Sequence, residues 1–166
     1  MLRHAFKEWA VICRALALGR QSIILRKGGI ADEGGLFRPE HDRFLLYPTY
    51  LHQQQHDGIK PTALPLLEDA ISEQPPAEIL RIQHVVDVES IERLAMLGQA
   101  LALDAEHIWS SETVIKRFHY REPGLWCLRV RVRALPTAIE LPVQPEYDGC
   151  RTWVELAEAI DVTESR

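Results

Sequence analysis

The chain has 166 residues, a net charge of −5, 46% hydrophobic and 26% charged residues, the balance of one folded globular domain and not of a disordered or fibrous chain. No apolar run approaches the ~20 residues that cross a membrane as a helix, and charges interrupt the apolar residues of 1–9, so neither a membrane span nor a secretory leader is expected. Three widely spaced cysteines, Cys13, Cys127 and Cys150, fit neither a disulfide framework nor a zinc knuckle and read as small buried side chains in a reducing, cytoplasmic setting.

In chain order, Phe6, Trp9, Ala10, Cys13, Leu16 and Ala17 recur at spacings of three and four and predict a helix over 4–18, closed by Gly19. Residues 22–26 are short, β-branched and apolar and predict a strand. Gly28-Gly29 breaks it, and a second strand is expected at 44–47, ended by Pro48; the two look like a long-looped hairpin. Residues 54–78 hold Pro61, Pro65, Pro75 and Pro76 and read as a connecting segment with a short helix near 64–72, the place where disorder is most expected. A strand follows at 79–88, then a helix over 91–101 capped by Ser90, then a short helix or turn at 112–118. In residues 125–133 Leu128, Val130 and Val132 alternate with Arg129, Arg131 and Arg133, a strand with one core face and one basic face. Residues 139–141 pair beside it. Thr152 and Glu155 have the spacing of a capping box, which predicts a short C-terminal helix over 153–160. Strands and helices do not alternate as βαβ units. The expected fold is therefore α+β, a single domain over 1–166 with a mostly antiparallel sheet, open or barrel-like, an N-terminal helix and a short C-terminal helix.

Charge is unevenly spread. Residues 1–60 carry a balance of +3 and residues 61–166 a balance of −8, and four of the seven histidines, His4, His41, His52 and His56, lie in the first part. That asymmetry hints at an anionic partner for the N-terminal third. Arg26 and Lys27 stand at a strand end beside Gly28 and Gly29, which let backbone N–H groups approach a phosphate or carboxylate; the plain alternative is a tight turn with solvated charges. His41 and Arg43 lead into Tyr47-Pro48-Thr49-Tyr50-Leu51-His52-Gln53. If the two strands pair, His41 or His52 becomes a candidate acid/base beside Arg26, with Arg43, Tyr47, Thr49, Tyr50 and Gln53 as ligand-binding candidates. His52 and His56 are four apart, but no third ligand is evident, so no metal is assigned, and no cofactor motif is present. His107 and Trp109, with Arg117 in the run Lys116–Arg121, interleave aromatics with cations, which suits base stacking plus phosphate contact and equally suits a half-exposed strand. The arginine face of 129–133 reads as a surface neutralised by nearby acids.

These residues also carry a resemblance. Lys7-Glu8-Trp9-Ala10, Leu25-Arg26-Lys27-Gly28-Gly29-Ile30, Tyr47-Pro48-Thr49-Tyr50 with His52-Gln53, His107-Ile108-Trp109, and Gly149-Cys150-Arg151 with Trp153 resemble a bacterial domain-of-unknown-function family over nearly the whole chain. The resemblance brings no activity, but it implies that these residues form one site. Gly19 through Arg26 is also similar to the G-x-K-T-x-E-x-R run of ASCH domains in the PUA-like group, which are associated with RNA; Gln21 and Ile24 depart from it. The function expected is binding of a phosphate-bearing ligand, RNA or a nucleotide, through the basic and polar cluster. An enzyme on a phosphoester or small anion, with His41 or His52 as acid/base, and a protein-interaction module are the alternatives.

Overall fold

Residues 2–9 are a strand and not the first half of a helix. The computed structural model describes residues 1–27, 41–149 and 151–163. In chain order its elements are β1 (Leu2–Trp9), α1 (Ala10–Ala17), β2 (Ile23–Arg26), β3 (Arg43–Thr49), α2 (His52–Gly58), α3 (Leu64–Ser72), β4 (Ile79–Leu94), α4 (Leu97–Leu101), α5 (Ser111–His119), β5 (Leu125–Pro142) and β6 (Trp153–Ile160). One six-stranded sheet runs in the order β2-β5-β4-β3-β1-β6. Among the described residues every pairing within it is antiparallel except β1 with β3. The class is α+β, as the residue pattern predicts. No described helix is long and apolar enough to cross a membrane.

The sheet is covered on both faces. Phe6, Phe44, Leu46, Val86 and Leu128 join a core under α1, α3 and α5, to which Val11, Ile12, Leu67, Val114 and Phe118 contribute. Ala5, Leu45, Leu80, Ile82, Leu156 and Ile160 form a second core. Neighbouring residues such as Ala5 and Phe6 thus serve different cores, because successive strand residues face opposite sides. Each fully buried Val, Leu, Ile or Phe side chain contributes roughly 1.5–3 kcal/mol.

Two-sided burial explains several departures from expectation. In β1 it erases apolar–polar alternation, so the spacing of Phe6, Trp9, Ala10 and Cys13 imitates a helix that starts only at Ala10. The predicted helix over 91–101 begins only at Leu97, since β4 pairs with β5 as far as Leu94↔Leu125 across two register shifts. Residues 139–141 lie within β5 itself. The predicted C-terminal helix is β6: the Thr152 carbonyl accepts the Lys7 N–H at 2.8 Å, and Val154 and Leu156 turn inward beside exposed Glu155. The expected hairpin of residues 22–26 with 44–47 does not form, because β5 and β4 stand between β2 and β3. Pro48 does not end β3. It pairs with Glu8 in the parallel ladder, where pairing with β4 has already stopped at Leu45, so its missing N–H breaks no β4 bond. The segment 54–78 is folded, with α3 over Leu64–Ser72 and Leu66 and Leu67 in the core.

The sheet also curls. β2 and β1 are separated by three strands, yet Arg26 Nη2 donates to the Lys7 carbonyl at 2.5 Å. That approach builds the site.

Candidate anion-binding centre

β1 presents Phe6 and Glu8 to the helix-covered core and Lys7 to the other face. Glu8 is only 2% exposed. Its Oε1 accepts the Trp9 N–H at 2.8 Å, and its Oε2 lies 3.4 Å from Arg26 Nη2. The Arg26 guanidinium sits 4.5 Å above the Phe6 ring and keeps 23% of its side chain exposed. Arg117, from α5, places its guanidinium 5.0 Å from the ring centroids of both Trp9 and Trp109. Burial pushes the Arg117 pKa down to about 10; Glu8 opposes that shift and Arg26 adds to it. The group therefore stays charged at neutral pH and shares its surroundings with Arg26 and Glu8.

Local structure holds these groups in place. Gln55, fully buried on α2, accepts the Val11 N–H at 3.2 Å and donates to the Thr49 carbonyl at 2.7 Å, tying the start of α1 to the end of β3. The Thr49 hydroxyl donates to the Glu8 carbonyl at 3.2 Å. Trp9 lies flush on Gly58, where a Cβ would fall 2.5 Å from the indole. Trp109 is positioned by its bridge to Ile59. Cys13 donates weakly to the Glu8 carbonyl at 3.7 Å, and burial, then the Glu8 charge, hold its thiol well above the ordinary pKa. His107 packs 5.4 Å from Trp109. Burial, then Lys60, lower its pKa to about 4, so it is a neutral ring at physiological pH. Several buried polar atoms of the centre have no hydrogen-bond partner among the described residues: Glu8 Oε2, Arg26 Nε, Arg117 Nη1, Trp109 Nε1 and both His107 nitrogens.

Of the residues singled out from the sequence, Arg26, His107, Trp109 and Arg117 come together here. Lys27 does not face the centre. Its ammonium donates to the carbonyls of Phe118 at 2.5 Å, Gly124 at 2.9 Å and Glu122, fastening the turn after α5. Arg43 is paired with Asp87 at 2.5 Å, a carboxylate it shares with Arg133. His52 and Gln53 stand exposed on α2; the His52 ring is 6.3 Å from His56, and Gln53 donates to Asp57 at 3.0 Å. His41 stacks on His4 at 3.6 Å and meets the Trp153 ring edge-on at 5.5 Å. Tyr47, Thr49 and Tyr50 line a separate cleft of about 370 Å³. Cys13 and Cys127 are free and buried, as expected, while Gly28, Gly29 and Cys150 lie outside the described residues. The arginine face of β5 is neutralised as expected, Arg129 by Glu106, Arg131 by Glu89 and Arg133 by Asp87. Spacing alone does not assign Glu8 or Trp9 to a site. Their signal in the sequence is the Lys7-Glu8-Trp9-Ala10 run.

An α+β fold of this kind is found in ASCH proteins. Structures of two variants of an ASCH protein from Zymomonas mobilis match with TM-scores of 0.54 and 0.53, at 10% sequence identity, covering 93% of this chain and 88% and 90% of theirs. At that identity the likeness is one of fold. By sequence, the chain belongs to the DUF1802 family, a domain of unknown function, whose family model matches residues 5–166. No curated protein matches it.

Proposed function

We propose that this chain binds a phosphate-bearing ligand, RNA or a nucleotide, with Arg26 and Arg117 as the partners of the anion. The observation that carries this reading is the excess of guanidinium over carboxylate. Two arginines share the field of one buried Glu8, Arg26 through an ion pair at 3.4 Å and Arg117 through a longer-range attraction, and Arg26 Nε and Arg117 Nη1 have no partner among the described residues. Buried donors left unpaired are costly, and a phosphate oxygen is a fitting acceptor for a guanidinium. Trp9 and Trp109 flank Arg117; Trp109 is buried and holds the guanidinium from within, while Trp9 is partly exposed and offers a flat face to a base.

The neighbouring surface supports a strand more than a lone ion. Lys116, His119, Tyr120 and Arg121 are exposed after or on α5. Tyr120 is 58% exposed, with the Arg121 guanidinium 5.2 Å from its ring, and Arg121 holds a φ of 60° that few non-glycine residues adopt. The ASCH-like fold fits the same reading by analogy.

A mobility shift with short single- and double-stranded RNA and DNA, at low and near-physiological salt, tests it. Removing Arg26 strips Glu8 of its ion pair, so the exposed double variant Lys116→Ala/Arg121→Ala is run beside Arg26→Ala. Binding is expected to weaken with salt and to weaken in both variants, the double variant lowering the salt slope by about 1–2. No binding to any probe at low salt sinks the reading.

A further inference from the structure

The cleft lined by Tyr47, Thr49 and Tyr50 opens beside Lys7, which leaves β1 on the face opposite Glu8. Its volume of about 370 Å³ is within the range of small-molecule sites. Pro48, Pro75 and Pro76 with the two tyrosine rings give it flat, stiff walls. Both tyrosines are half-buried. Neither phenol oxygen takes a hydrogen-bond partner among the described residues. Tyr147 behaves differently: its oxygen accepts the Ala157 N–H at 2.9 Å. The Tyr47 and Tyr50 oxygens are both reached by solvent and committed to no group among the described residues, so two hydroxyls on one cleft are available to an occupant.

Charge narrows the occupant. Lys7 and Asp148 bring opposite charges to the cleft, and Arg81 is neutralised on Glu140 at 2.8 Å. The cleft therefore favours neither an anion nor a cation, unlike the Arg26–Arg117 centre. Burial, then Asp148 for Tyr47 and Cys13 for Tyr50, raises both phenol pKa values, so both hydroxyls remain donors at physiological pH.

We infer that this cleft is a second binding site, for an uncharged planar ring compound whose carbonyl oxygens accept from the hydroxyls of Tyr47 and Tyr50 while its faces pack on the proline and tyrosine walls. It does not depend on the anion centre.

Ligand-observed NMR titration of the full chain tests it with four probes: uracil and nicotinamide as uncharged carbonyl-bearing rings, benzoate as the anion and benzylamine as the cation. Uracil or nicotinamide should bind the wild type in preference to the charged rings. Affinity should fall about tenfold or more in Tyr47→Phe/Tyr50→Phe, which keeps both rings and loses both donors. Arg26→Ala should leave this binding unchanged, and Tyr47→Phe/Tyr50→Phe should leave any nucleic-acid shift unchanged, so the two sites fail separately. Circular dichroism confirms that the double variant is folded. Equal binding to the double variant, a preference for benzoate or benzylamine, or no binding of either uncharged ring overturns the inference.

Discussion

Single residues in this protein divide between those that hold the fold and those that face outward for chemistry, and residue type alone does not tell them apart. Lys27 looks like a phosphate ligand in sequence, yet its ammonium serves three carbonyls around the end of α5. Lys27→Ala should therefore lower stability by roughly 1–3 kcal/mol in urea denaturation. It should affect nucleic-acid binding less than Arg26→Ala does. His107 gives a pH signature. Its folded pKa of about 4 lies below the ordinary 6.5, so the unfolded chain takes up the proton first. Its contribution to stability is complete above pH 6.5 and is lost as pH falls from 6.5 to 4, by about 3 kcal/mol at most for this one group. His84, also lowered by burial, adds to the same slope. Urea melts of His107→Phe across that window should show a distinctly flatter pH dependence than wild type; an unchanged slope would place the effect elsewhere.

Elements show where a sequence pattern stops being informative. Strand β5 is legible because one face is core and the other carries ion-paired arginines, which preserves alternation. Strand β1 is not, because Ala5 and Phe6 are both buried, each in a different core, and Glu8 is buried as well. The same burial hides Glu8 as a site residue, since a carboxylate beside a lysine reads as solvated charge. In β6 the alternation of Val154 and Leu156 with Glu155 is available, but the Thr152…Glu155 spacing competes with it, and the long-range bond from Lys7 to Thr152 decides the outcome. Arg26 is legible as a candidate; its meeting with Arg117 is not, since it depends on the curl that carries β2 round to β1. Helix α2 is docked through Gly58 against Trp9. Gly58→Ala should push the indole aside, at a cost of about 1–3 kcal/mol, with a shift in tryptophan emission and weaker binding of any ligand that uses Trp9.

Across the whole molecule, the basic character of the N-terminal third does not become a broad positive face. Arg3, Arg14, Arg43 and Lys60 each meet an acidic side chain, which neutralises much of that excess. Recognition of an anion would thus act at short range in a chain of net charge −5. The position of β1 in the sheet carries a further consequence. Its two neighbours are β3 and β6, and β6 follows every other strand in the chain. A variant cut after residue 152 should lose cooperative thermal unfolding, because Ala5 and Leu45 lose their cover from Val154, Leu156 and Ile160. During synthesis, then, Glu8 and Trp9 leave the ribosome long before the strand that secures their own. Contacts spanning so much of the chain make for slow folding, and the nascent protein would carry an unfinished strand edge until Trp153–Ile160 has emerged to close it.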